Sequence, residues 1–180
     1  MQENCLNGTE RIVRYLDKIE HSNYDKILNV QGDEPFIDSN IIDKLIKKNY
    51  KNKNECSTIC YKTKDKEEIL SKSKGKAILD ENNNILYCSR NVIPSCKNSN
   101  IVDDIDYNIH VGIFLFNKEN LIENFLKKNT KYQLTEDIEW LKIIESGYKI
   151  NTIISNKMET GIDTIDDYNY LKKKYEKKHS

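Results

Sequence analysis

Acids and glycines with the spacing to do chemistry gather at two points of this 180-residue chain. In NVQGDEPFI (29–37) an apolar run ends in Gln31, Gly32, Asp33, Glu34 and Pro35. A carboxylate at a strand tip can hold a hard cation such as Mg²⁺ through oxygen, and a glycine beside it lets a ligand approach the backbone. A strand-ending turn with solvated acids accounts for the same residues. In METGIDTIDDY (158–168), Asp163 follows Gly161 and precedes an acid-rich helix start, 130 residues after Asp33. It suits a helix N-cap, and equally the second carboxylate of a metal site. His110 lies in the apolar run NIHVGIFLF (108–116), where a core histidine is the ordinary case. Glu136 and Glu139, three apart in LTEDIEWLKIIESGYKI (134–150), can share a helix face.

Composition bounds what these residues serve. Lys plus Arg and Asp plus Glu both total 29, so net charge gives no reason to expect nucleic acid or an anionic membrane surface as partner. No apolar run approaches the ~18 residues of a membrane span, and MQENCLNGTERIV has no signal-type apolar core. Lys, Asn and Ile, all with AT-rich codons, supply 73 residues, so Lys and Asn runs carry little functional weight. Arg11, Arg14 and Arg90 carry more, since a retained guanidinium marks a place that needs its planar fork. The five cysteines form no CxxC and are odd in number, which suits reduced thiols in a cytosolic protein.

The elements that must position these groups read as alternating helices and strands. Apolar spacing predicts helices at 9–20, from Asp38 or Ser39 onward, at 64–73, 118–128 and 135–146, and from about 165. Strands are expected at 26–31 (short and buried), 56–62 and 149–154, with a long one at 107–116. KAILD, ENNN and ILYCS (76–89) form a hairpin, because Asn tolerates the left-handed turn conformation. The expected class is α/β: a mostly parallel sheet with an antiparallel hairpin insertion, in one domain. No GxGxxG or P-loop pattern is present, so a bound nucleotide would lack the usual phosphate cradle.

NGTERI (7–12), VQGDEP, KAILDENNNILYCSRNVIP, HVGIFLF, the acidic segment ending in SGYKI, and GIDTIDDY occur in this order. The array resembles the CMP-Kdo synthetase (3-deoxy-manno-octulosonate cytidylyltransferase) family from residue 7 to about 172. The resemblance implies a Rossmann-like nucleotidyltransferase fold. It also implies transfer of a cytidylyl group from CTP to the anomeric hydroxyl of the acidic sugar Kdo. The products would be CMP-Kdo and pyrophosphate, for lipopolysaccharide-type glycans. By the same resemblance Asp33 and Asp163 are the catalytic carboxylates and Mg²⁺ ligands. Arg11 and Gln31 join Asp33 on the CTP side, and Arg90, His110, Glu136 and Glu139 lie near the sugar, with Arg90 facing a carboxylate. A cytoplasmic homodimer with the YCSRNVIP hairpin at its contact is implied, with neither nucleic acid nor membrane as partner. The family's first strand and basic phosphate loop have no counterpart in the sequence. The expectation is therefore an N-terminally truncated domain over 1–180, the C-terminal three-quarters of the family fold, with an unpaired sheet edge. Phe114 stands where the family has Tyr, and Trp140 where it commonly has Gln. Two alternatives accompany the reading: a cytidylyltransferase for another acidic sugar, and a non-catalytic remnant.

Overall fold

The computed structural model describes residues 5, 7–18, 24–52, 55–97, 101–126, 128–155, 161–162 and 164–176. Its helices are α1 (Gly8–Lys18), α2 (Ser39–Asn52), α3 (Lys66–Leu70), α4 (Lys118–Leu126), α5 (Lys131–Glu136), α6 (Leu141–Glu145) and α7 (Ile165–Glu176). Its strands are β1 (Lys26–Val30), β2 (Cys56–Thr63), β3 (Lys76–Leu79), β4 (Ile85–Ser89), β5 (Tyr107–Asn117) and β6 (Ile150–Ser155).

The strands form one six-stranded sheet in the order β4-β3-β5-β2-β6, with β1 also pairing β5. β5 is its spine. One edge of β5 carries β2, and the other carries β1 toward its C-terminal end and β3 toward its N-terminal end. β1, β2, β3 and β6 share one direction, as a mostly parallel reading expects, yet β5 runs against them from the middle of the sheet. Of the ladders, β2–β6 is parallel and the other four are antiparallel. Periodicity could not reveal this reversal, because a strand buried on both faces reads as a continuous apolar run whichever way it points.

Helices cover both faces of β5. Phe114 and Phe116 pack with Val13 of α1, Leu121 of α4, and Trp140, Leu141 and Ile143 around α6. Val111, Ile113 and Leu115 point the other way, onto Ile41 and Leu45 of α2. The expected hairpin forms, with Asn83 at φ 60° in its turn. Its tip reaches across to β6, where Thr152 N donates to Asn83 O at 2.7 Å.

Three expectations need correction. β1 is not a buried strand: its one ladder is to β5, Asn29 points inward, and Leu28 and Val30 are 38% and 40% exposed. The helix at 64–73 shortens to α3, where Asp65 caps the first turn by accepting from Glu67 N at 2.8 Å. The helix at 135–146 is two helices, because Asp137 adopts the left-handed conformation at φ 52° and ends α5. Glu136 and Glu139 therefore do not share a helix face.

Candidate active site

β1 and β3 approach the same edge of β5 from opposite ends and leave a gap between them. The last bond of β1 is Gln31 N to Gly112 O at 3.0 Å, and the first of β3 is His110 N to Gly75 O at 2.8 Å. A cavity of about 550 Å³ opens over this gap. Gln31, Asp33, Arg90, His110 and Glu139 all line it, so five of the eight residues singled out in sequence converge. Arg11 does not line it: it is exposed, one turn farther along α1 than Asn7, which does. Glu136 lies behind the wall rather than on it. Asp163 lies outside the described residues.

The β1 end of the cavity is built from a turn. Glu34 N donates to Gln31 O at 3.2 Å, bringing Asp33 around the strand tip. One carboxylate oxygen of Asp33, Oδ1, is buried without a hydrogen-bond partner. A buried anionic oxygen with no donor is costly unless a cation or donor arrives, and a hard cation fits it chemically. The chain entering α7 is fastened here, with Ile162 N donating to Asp33 O at 2.8 Å. A Cβ on Gly161 would stand 3.1 Å from that same carbonyl. Among the described residues no three His, Cys, Asp or Glu side chains form a metal cage. Gln31 lays its side chain across Gly112, so that a Cβ there would sit 2.1 Å from Gln31 Oε1.

The first turn of α1 closes the next side. Asn7 is the N-cap, its Oδ1 accepting from Glu10 N at 2.9 Å. The Glu139 carboxylate sits at this helix start, accepting from Thr9 Oγ1 at 2.7 Å and from Thr9 N at 3.3 Å. Burial raises the Glu139 pKa, and the Thr9 bonds oppose that shift. Asn29 Nδ2 reaches Thr9 Oγ1 at 3.4 Å, tying β1 into the same group.

The β3 end is held by cations bonded to backbone. Arg90 donates from Nη1 to Lys72 O and Ser73 O at 3.2 and 2.9 Å, from Nε to Glu136 O at 3.1 Å, and from Nη2 to Asp137 O at 2.8 Å. Lys76 is buried, and its Nζ donates to Ser71 O, Lys74 O and Arg90 O at 2.6, 2.7 and 2.6 Å. Burial lowers its pKa to about 8. With His110 N on Gly75 O, five consecutive carbonyls from Ser71 to Gly75 each have a donor. Behind them Glu136 accepts from Ser89 Oγ at 2.9 Å, Arg90 N at 3.1 Å and Tyr87 OH at 3.2 Å. The start of α5 is fixed in turn by Glu145, which accepts from Tyr132 N and Gln133 N, both at 3.0 Å.

The sequence missed one part of the wall and marked another only as a departure from the family. Lys74 lines the cavity and donates to Glu68 Oε1 at 2.7 Å and Tyr61 OH at 3.0 Å. Its signal was hidden in a Lys-rich background. The second is aromatic: the His110 ring lies 4.7 Å from Trp140 and 4.9 Å from Phe114. Burial among these rings pushes the imidazole pKa down to about 3, so the ring is neutral at physiological pH.

The comparisons agree with this architecture. Residues 1–150 match the family model described as cytidylyltransferase. A mitochondrial 3-deoxy-manno-octulosonate cytidylyltransferase of Arabidopsis thaliana is 34% identical over 165 residues, covering 92% of this chain and 57% of that protein. The 3-deoxy-manno-octulosonate cytidylyltransferase of Fusobacterium nucleatum is 35% identical over 176 residues, covering 94% of this chain and 69% of that protein. The chain thus spans little more than half of the first relative's length. In fold it is similar to a CMP:2-keto-3-deoxy-manno-octonic acid synthetase solved with CTP, at TM-score 0.83 and 24% identity, over 97% of this chain and 70% of that one. With an α/β fold that superposes this closely, a family model matched over most of its length and a Fusobacterium relative covered over two thirds, the chain belongs to the cytidylyltransferase family.

Proposed function

We propose that the cavity transfers a cytidylyl group from CTP to the anomeric hydroxyl of Kdo, releasing pyrophosphate. The observation that carries this reading is convergence. Gln31, Asp33, Arg90, His110 and Glu139, which the family resemblance names, meet in one cavity at the end of β1. The relatives' names and the CTP bound in the similar structure support the substrates.

Asp33 and Asp163 are the proposed Mg²⁺ ligands. Among the described residues, Oδ1 of Asp33 is the buried carboxylate oxygen left without a partner, and Ile162, beside Asp163, is bonded to Asp33. When bound, Mg²⁺ neutralises charge on the triphosphate. The protein's part is to orient. Gln31, held over Gly112, offers an amide beside the nucleotide. Glu139, fixed by Thr9, faces the sugar together with His110. Arg90 sets the wall through its four carbonyls. The reading includes a homodimer through the β3–β4 hairpin, where Leu86 is 56% exposed on an edge strand. It includes a cytoplasmic setting, which suits the free cysteines. No helix of the described chain is long and apolar enough to cross a membrane.

A second reading, transfer to another acidic sugar, has an observation in its favour. Phe114 and Trp140 join His110 in an aromatic wall where the family offers a hydroxyl and an amide. One experiment tests both. CTP, Mg²⁺ and either Kdo or a sialic acid are incubated with the chain, as it stands and with the family's first strand and phosphate loop joined ahead of it. CMP-Kdo is the expected product. CMP bound only to the other sugar selects the second reading, and no product from either form overturns both.

A further inference from the structure

Thr58 is fully buried on β2 beside the point where the β2–β5 register slips, Thr58 facing Phe114 and Ile59 facing Val111. Its hydroxyl oxygen has two partners: Ile113 O at 2.7 Å and His110 Nε2 at 3.2 Å. A hydroxyl carries one hydrogen, and a backbone carbonyl can only accept. The hydrogen therefore goes to Ile113 O, and Thr58 can meet His110 only as an acceptor.

We infer that Thr58 is a positioning residue that fixes His110 in the Nε2–H tautomer, so that Nδ1 presents a lone pair to the cavity and accepts from a donor on the substrate. The inference follows from counting hydrogens, since a neutral imidazole has one N–H and Thr58 claims it. Nδ1 makes no hydrogen bond to any described residue, while His110 lines the cavity. An acceptor at this point selects the chemistry of what docks there. A sugar hydroxyl can donate to Nδ1, whereas a carboxylate has only lone pairs and is repelled. The substrate's acid group must then lie elsewhere in the cavity, and a hydroxyl of the polyhydroxylated chain faces His110. That last step rests on the proposed transfer to an acidic sugar; the tautomer does not.

Long-range ¹H–¹⁵N correlation on the uniformly labelled chain tests the tautomer without any turnover. The expected spectrum at pH 7 has a protonated Nε2 and an unprotonated Nδ1 on His110. The opposite tautomer, or an imidazolium, overturns the inference. Thr58→Val removes the acceptor and should shift the ring toward a mixture or the other tautomer, while Thr58→Ser should keep the native pattern. An unchanged pattern in folded Thr58→Val also overturns it. In the active form, Thr58→Val should raise KM for the sugar about tenfold with kcat nearly unchanged, the scale of one neutral hydrogen bond, and Thr58→Ser should restore it. A fall in kcat with KM unmoved counts against positioning. If Thr58→Val fails to fold, the wild-type and Thr58→Ser spectra still decide. If no sugar is turned over but the spectra are as expected, the transfer reading fails and the tautomer assignment stands.

Discussion

The two ends of the cavity are built on opposite principles. At the β3 end almost every polar group has a partner: five consecutive carbonyls from Ser71 to Gly75 are capped, and Glu136 gathers three donors. At the β1 end Asp33 Oδ1 is buried with no partner, and Gln31 rests on a glycine. A satisfied network holds a shape whether or not a ligand is present. An unsatisfied one holds bonding capacity for a ligand to complete. The β3 end is thus a preformed wall, and the β1 end is where binding and stability trade against each other. Arg90 shows the difference best: the resemblance gives it a substrate carboxylate, while the structure shows its guanidinium bonded to four carbonyls.

The largest expected effect breaks the β1 end without harming the fold. Asp33→Asn should lower Mg²⁺-dependent CTP binding and turnover by on the order of 100-fold or more, since the metal's charge stabilisation is worth several kcal/mol. Thermal stability should change little, because asparagine keeps the size of the half-buried side chain and the one buried oxygen of Asp33 has no hydrogen bond to lose. Calorimetric titration with CTP and Mg²⁺, beside a melting curve, checks both halves. A variant that binds normally would show that Asp33 is only a turn residue.

The reverse experiment belongs to the β3 end. Glu136→Ala strands Ser89 Oγ, Arg90 N and Tyr87 OH. It should cost about 2 kcal/mol of stability, as expected when partly buried donors lose a charged acceptor. Urea unfolding measures this, and CTP affinity should change little. A larger loss of CTP affinity than of stability would place Glu136 in direct contact with ligand.

These contrasts show which parts of the site were legible from residues. The hairpin could be read because Asn83 is a residue type that takes positive φ. The break after α5 could not, because Asp137 does the same with no Gly or Pro nearby to announce it. That break alone sends Glu136 behind the wall and Glu139 onto α1. β1 could be read as a strand, and the family resemblance implied an unpaired sheet edge, but KILNV does not mark β1 as that edge, since it has the same composition whether Leu28 and Val30 face a neighbour or water. Lys74 was hidden for a different reason. In a chain with 26 lysines, one functional lysine has no distinguishing type or spacing.

His110 connects the two ends and gives a pH prediction. Its folded pKa is about 3, against about 6.5 for a free histidine. Between those values the unfolded chain takes up a proton that the folded chain refuses. Stability therefore falls as pH drops below about 6.5, by up to about 1.4 kcal/mol per unit, and His110 contributes no slope above it. Urea unfolding at pH 7, 6 and 5 should show the gap between wild type and His110→Phe shifting in favour of the variant as pH falls. A constant gap would mean that the imidazole is protonated within the fold.

The smallest effect sharpens the contrast most, because it perturbs the β1 end without touching a charge. In Gly112→Ala the new Cβ would stand 2.1 Å from Gln31 Oε1, 2.8 Å from its Cδ and 3.2 Å from its Cβ. The first two contacts are with the far end of a flexible side chain, so Gln31 can swing away. The third requires a shift of only a few tenths of an ångström. Gly112 has no positive φ, so alanine brings no backbone strain of the left-handed kind. Stability should fall by about 1 kcal/mol, the low end of overpacking costs, because the clashing atoms are the far end of a flexible side chain. On the proposed reading CTP affinity should fall about tenfold, because the displaced amide would no longer be held where the nucleotide is expected. Gln31→Ala removes the clash together with the amide. The double variant should therefore bind CTP no more weakly than Gln31→Ala alone, a non-additivity that a double-mutant cycle reads directly. Additive losses would show that the new Cβ acts independently of Gln31, as by shifting the Gly112 N–H that donates to Glu34 Oε1 at 3.3 Å.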